Sequence, residues 1–75
     1  MSLYNYYVSQ FSAQQVARSL RKHGAELVAQ KGSHAKYRYY ECVSTVPMHG
    51  GDIKPGTLRA IEKAFEPSFG KGWLK

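Results

Sequence analysis

From residue 25 to residue 47 the sequence reads AELVAQ, KGS, HAKYRYYE, CVSTVP, and this run limits the fold more than any other feature. Residues alternate between apolar and polar from His34 onward, which is the period of a half-buried strand. Ala35, Tyr37 and Tyr39 fall on one face, and His34, Lys36, Arg38 and Tyr40 fall on the other. The first set is expected to build the core, and the second to stay exposed. Upstream, AELVAQ reads as a short strand over 25–30 with Ala25, Leu27 and Ala29 on one face. Lys31, Gly32 and Ser33 between the two runs form a tight turn, so the strands make a hairpin. A third strand is expected over 42–47, ended or edged by Pro47, whose missing N–H cannot join a central ladder.

A helix is expected on each side of this sheet. Ser12 followed by Gln15 has capping-box spacing, and Phe11 with Val16 has hydrophobic-staple spacing. Ala13, Val16, Ala17 and Leu20 make an apolar stripe. Arg18, Arg21, Lys22 and His23 bring cations to the later turns, where the helix dipole is negative. Gly24 supplies the stop, so the helix is expected over 13–23. The loop MHGGD at 48–52 then leads to a second amphipathic segment. Pro55 suits its first position, Leu58, Ile61, Ala64 and Phe65 share a face, and Pro67 is expected to end it. Phe69, Trp73 and Leu74 make the tail too apolar to be idle, so it is expected to dock on the domain or on a partner. Residues 1–11 are tyrosine-rich without helical period, and an added strand, an arm or a partly ordered leader all fit them. The resulting class is α+β, an α-β-β-β-α chain with a three-stranded antiparallel sheet and two helices on one face. That is the layout of double-stranded RNA-binding domains.

The chain has 75 residues, which sets the expectation of one domain over 1–75, with a core at about 12–66 and a tail at 67–75. A chain of this size buries only about 60% of its unfolded surface, so a site on it is expected to be shallow. Eleven Lys and Arg against five Asp and Glu give a net charge of +6. A basic balance favours a polyanion partner, nucleic acid before acidic protein or membrane, with a merely solvated basic surface as the alternative. Cys42 is the only cysteine, so no internal disulfide forms, and a reducing cytoplasm fits. The acids are scattered singly and no metal-ligand spacing occurs, so neither metal nor other cofactor is expected. No apolar run reaches the roughly 20 residues of a membrane span. The first residues also lack the pattern of a secretory signal.

Two segments carry a more specific message: Gly32-Ser33-His34, and Asp52-Ile53-Lys54-Pro55-Gly56-Thr57-Leu58. Their order and separation, with the preceding helix ending in Gly24, make residues 12–66 resemble the HicA family of bacterial toxins. The resemblance implies a fold like a double-stranded RNA-binding domain. It also implies a cytoplasmic enzyme that cleaves messenger RNA and is neutralised by a HicB antitoxin. Activity would rest on the histidine of the glycine-serine-histidine segment, here His34. The leader and the tail beyond Pro67 extend past the family's compact core.

The chemistry is coherent without the family. RNA carries its own nucleophile, the 2′-hydroxyl, and a histidine titrates near enough to neutrality to serve as acid or base. Lys31, Ser33, Lys36 and Arg38 are candidate RNA contacts around it, against the alternative of a solvated strand face. Tyr40 is the candidate ring for base stacking. Lys54, beside Thr57 and Arg59 at the second helix start, suits either a phosphate or helix entry. His49 is a loop residue placed to touch substrate or to do nothing, and His23 is accounted for by the helix dipole. Two other readings remain at this level: an RNA-binding module without cleavage, and an interaction protein for an acidic partner.

Overall fold

The computed structural model describes residues 11–74. The tyrosine-rich leader therefore lies outside the described residues, apart from Phe11. The order is α1 (Ala13–Lys22), β1 (Glu26–Lys31), β2 (His34–Tyr39), β3 (Cys42–Pro47) and α2 (Pro55–Phe69). The strands pair antiparallel in the order β1-β2-β3, so the expected α-β-β-β-α layout is the one observed.

Local chemistry sets both ends of α1. At the start the Gln15 N–H donates to Ser12 Oγ at 3.2 Å, while the Ser12 N–H donates to Gln15 Oε1 at 2.8 Å. This reciprocal pair is the capping box. At the end, the Gly24 N–H reaches the Arg21 carbonyl at 3.0 Å and the Ala25 N–H reaches the Leu20 carbonyl at 2.9 Å. Those two bonds are a Schellman motif, and Gly24 supplies its left-handed residue at φ 103°. His23 is thus the cap rather than the last helical residue. Ala13, Val16, Ala17 and Leu20 are buried, as the stripe requires.

The inner face of the sheet packs on both helices, chiefly through β3. Ala35, Tyr37, Cys42 and Val46 are buried there, and Tyr39 is half-buried. The buried Tyr37 hydroxyl accepts a hydrogen bond from Arg21 Nη1 at 3.0 Å. That bond satisfies a polar atom that burial would otherwise penalise.

Four expectations need correction. First, β1 does not keep one apolar face. A bulge between Leu27 and Ala29 inserts Val28, so Leu27 lies opposite inward-facing Tyr37 while Ala29 lies opposite outward-facing Lys36. One extra residue reverses the parity of everything beyond it. Second, β2 ends at Tyr39, not at 41. Tyr39 pairs with Cys42, which leaves Tyr40 and Glu41 to make the reversal. Tyr40 takes φ 55° to do so, in the left-handed region such tight reversals need. Tyr40 therefore lies in the reversal, outside the strand alternation. Third, the turn before β2 is Gly32-Ser33 alone, because Lys31 still pairs with His34. Fourth, α2 runs through Pro67 to Phe69. Pro67 has no N–H to give, yet the final turn is held by the Gly70 N–H on the Glu66 carbonyl at 2.8 Å and by Phe69's aromatic contacts.

Those contacts come from the tail, which docks on the domain itself. Phe69 stacks on Phe65 with centroids 5.4 Å apart, and Trp73 meets Phe69 edge-on at 5.2 Å. His23 completes the cluster at 4.9 Å from Phe69 and 5.4 Å from Trp73. The Trp73 Nε1–H donates to the Glu62 carbonyl at 2.7 Å, so this ring is buried with its polar atom paired.

Candidate functional site

The outer face of the sheet is built by register. His34 is the first residue of β2, with Lys31 directly opposite on β1 and Pro47 directly opposite on β3. Directly opposed residues hold their Cβ atoms about 4.5–5.5 Å apart, so the Lys31 and His34 side chains leave the same patch of surface. Lys36 follows two residues on, between Ala29 and Thr45, and Arg38 two further, between Glu26 and Val43. Side chains on one strand face recur at roughly 6.6–6.8 Å, close to the phosphate spacing of an extended strand of RNA. Lys31, His34, Lys36 and Arg38 are all exposed. The helices cover the opposite face, and among the described residues none packs over this one.

The remaining candidate residues sit elsewhere. Ser33 lies in the turn before His34, and its carbonyl accepts the Met48 N–H. Lys54 is the exposed N-cap of α2, with no side-chain bond to the helix end, and belongs to no strand row. Tyr40 sits at the far end of β2, about 20 Å along the strand from His34. Tyr40 is 78% exposed, and its ring packs edge-on against Tyr39 at 4.7 Å.

Two features of this face escape a reading of β2 alone. Lys31 joins the His34 face because the turn holds only two residues. Glu26 stands opposite Arg38, so the last cation of the row faces a carboxylate across the ladder while Lys36 faces Ala29 and Thr45. Opposite charges so placed attract each other. The row is thus most available to an outside anion at its His34 end.

That end has one more neighbour. Beyond Pro47, the bond from the Met48 N–H to the Ser33 carbonyl ties the loop 48–51 to the turn that carries His34. His49 follows immediately, exposed, with Nδ1 at 3.1 Å from the Gly50 carbonyl. A carbonyl only accepts, so this contact calls for a proton on Nδ1. Ser12, Ala13 and Gln14 at the start of α1 and Met48–Gly51 in this loop line a shallow cleft of about 180 Å³. Among the described residues, no three of His, Cys, Asp and Glu converge as a metal-binding group. No helix among them is long and apolar enough to cross a membrane.

Fold and face together define a class: a small basic α-β-β-β-α domain with helices behind the sheet and a histidine set among cations in front. The family model described as the HicA toxin of bacterial toxin–antitoxin systems matches residues 13–66. The chain belongs to the HicA toxin family. Membership makes it one half of a pair whose other half is an antitoxin. No curated protein and no solved structure matches the chain. The matched stretch contains α1, the whole sheet and most of α2, and it stops just before Pro67.

Proposed function

We propose that this protein is a metal-independent endoribonuclease that cleaves messenger RNA in the cytoplasm, with His34 as its general acid/base, and that a HicB-like antitoxin neutralises it. The observation that carries the reading is the placement of His34. It is exposed at the open end of the central strand, with Lys31 directly across the ladder and Lys36 next on the same face. An RNA strand laid along β2 would put a phosphate against Lys31 and Lys36 and a ribose beside the imidazole. His34 would take the 2′-hydroxyl proton, the oxygen would attack phosphorus, and the bond to the 5′-oxygen would break. With a proton taken up by that oxygen, from water or a second acid, the products would be a 2′,3′-cyclic phosphate and a 5′-hydroxyl end. The lysines would offset the charge that grows on the phosphoryl oxygens. RNA supplies the nucleophile, so the scheme asks for no metal-bound water. The antitoxin would lay an acidic surface over the same cations.

The test is cleavage of a defined RNA by the purified protein in EDTA, with His34→Ala in parallel. Cleavage that falls by roughly 10²–10⁴-fold in the variant, with RNA binding retained, supports the reading. Parent-rate cleavage by a folded His34→Ala protein refutes the catalytic role. Binding without cleavage by the parent protein makes it an RNA-binding module instead. A strict requirement for added Mg²⁺ refutes the metal-free scheme.

A further inference from the structure

We propose that His49 is the second proton-transfer residue of this site, the general acid that protonates the leaving 5′-oxygen while His34 takes the 2′-hydroxyl proton. The proposal rests on the reading of the protein as an RNA-cleaving toxin and adds a named partner to it.

The need comes from proton balance. When the 2′-oxygen bonds to phosphorus, its proton must go to a base. When the bond from phosphorus to the 5′-oxygen breaks, that oxygen must gain a proton or leave as an alkoxide. In an in-line displacement the two oxygens lie on opposite sides of phosphorus, so one imidazole cannot serve both at once. Water can supply that proton slowly; a second donor near neutrality supplies it in step, and lysine and arginine hold their protons too tightly for that task.

His49 is the group the fold supplies. Pro47 stands directly opposite His34, and Met48 is anchored to Ser33, so His49 emerges beside the same turn. Opposed Cα atoms lie about 4.5–5.5 Å apart, and two further residues add at most roughly 7 Å, which bounds the His34–His49 Cα separation at about 13 Å. Two imidazoles on such a base can reach a phosphate between them from opposite sides. The contact of Nδ1 with the Gly50 carbonyl calls for a proton on that nitrogen, which leaves Nε2 as the one to deliver a proton. Gly50 and Gly51 follow in the loop and leave room for the chain of the leaving nucleotide. His49 also lines the cleft between this loop and Ser12–Gln14. In one turnover His34 ends protonated and His49 ends neutral, and exchange with water restores both.

The test uses an oligonucleotide with a single ribonucleotide, made in two forms. One has the natural 5′-oxygen as leaving atom; the other has a bridging sulfur there, which departs as a thiolate without protonation. Parent protein, His34→Ala, His49→Ala and His49→Gln are compared on both, with thermal melting confirming the fold. The expected result is that both His49 variants slow on the oxygen substrate by roughly 10²–10⁴-fold and stay within a few-fold of parent on the sulfur substrate. His34→Ala is slow on both. Parent-rate cleavage of the oxygen substrate by either His49 variant overturns the proposal, as do equal losses on both substrates. If His34→Ala fails while His49→Ala cleaves normally, only the role of His49 falls. If the parent protein cleaves neither substrate, the RNA-cleaving function falls with it.

Discussion

The two ends of β2 differ in almost every respect. At its C-terminal end Tyr39 lies 5.0 Å from Phe69, within the cluster of Phe65, Phe69, Trp73 and His23 that ties α1, α2 and the tail together. At its N-terminal end His34 is flanked by a two-residue turn, a proline and a loop containing two glycines, and among the described residues only the far side of the sheet is packed. One end concentrates apolar burial and the other concentrates charge. A domain this small has few places to do either, and it places them at opposite ends of one strand. Substitutions at the aromatic end should therefore act on stability, and substitutions at the histidine end on activity.

Two substitutions test that division at full strength. His34→Ala should reduce RNA cleavage by roughly 10²–10⁴-fold. It should change unfolding free energy by less than about 0.5 kcal/mol, because the side chain is exposed and fills no core. Trp73→Ala should do the reverse, removing about 3–5 kcal/mol of stability and leaving the Glu62 carbonyl without its indole donor. A domain of this length has only about 4–11 kcal/mol to lose. Urea denaturation should thus show a sharply lowered midpoint, while cleavage per folded molecule stays near parent. If His34→Ala unfolds the protein, or Trp73→Ala spares its stability, the two ends are not separable in this way.

Much of this arrangement was legible because it is local. The capping box needs only Ser12 and Gln15, and the Schellman end of α1 needs only Gly24 and the four residues before it. The alternation of β2 displayed itself because one of its faces is buried without interruption. The misses share a different cause. The β1 bulge is decided by pairing with β2, and nothing in AELVAQ marks Val28 as the extra residue. Tyr40 was assigned by extending an alternation through a reversal that the Tyr39–Cys42 pair imposes. Pro67 should end a helix on local grounds, but the aromatic cluster beyond it holds one more half-turn. At the site, the opposition of Lys31 to His34 follows from a turn one residue shorter than KGS suggests. The opposition of Glu26 to Arg38 depends on the bulge and so had no signal in the sequence.

Gly24→Ala comes next in size. The residue holds φ 103°, and an added Cβ would stand 3.0 Å from Tyr39 Cε1, at the aromatic end of β2. Backbone strain in this region is worth about 1–3 kcal/mol, and the ring contact adds to it. The expected outcome is a stability loss within that range, read by thermal or urea unfolding, with cleavage per folded molecule unchanged. Gly32→Ala at the histidine end is the informative contrast. Gly32 also has positive φ, at 59°, but its Cβ would meet nothing within 4 Å and φ falls where other residues are tolerated. Its stability loss should be the smaller of the two. Equal losses would show that the close approach to Tyr39 contributes nothing.

The smallest effect separates two cations on the same strand face. Lys36 and Arg38 are both exposed and both point away from the helices, yet Arg38 stands opposite Glu26 and Lys36 does not. The carboxylate on the strand opposite repels an outside phosphate approaching Arg38, so that cation is worth less to RNA. Removing Lys36 deletes a cation with no such neighbour on either flanking strand, where Ala29 and Thr45 stand. For single-stranded RNA held in the His34→Ala background, so that cleavage does not interfere, Lys36→Ala should lower the log–log salt slope by about 0.7, the loss of one phosphate contact. Arg38→Ala should change the slope by less than that. Making Glu26→Gln in addition should restore Arg38 to equal weight, so that its loss then matches the loss of Lys36. Equal slopes for the two single variants with Glu26 intact would mean that the RNA track ignores the pairing across β1, and that charge is spread evenly along β2 rather than gathered at the histidine end.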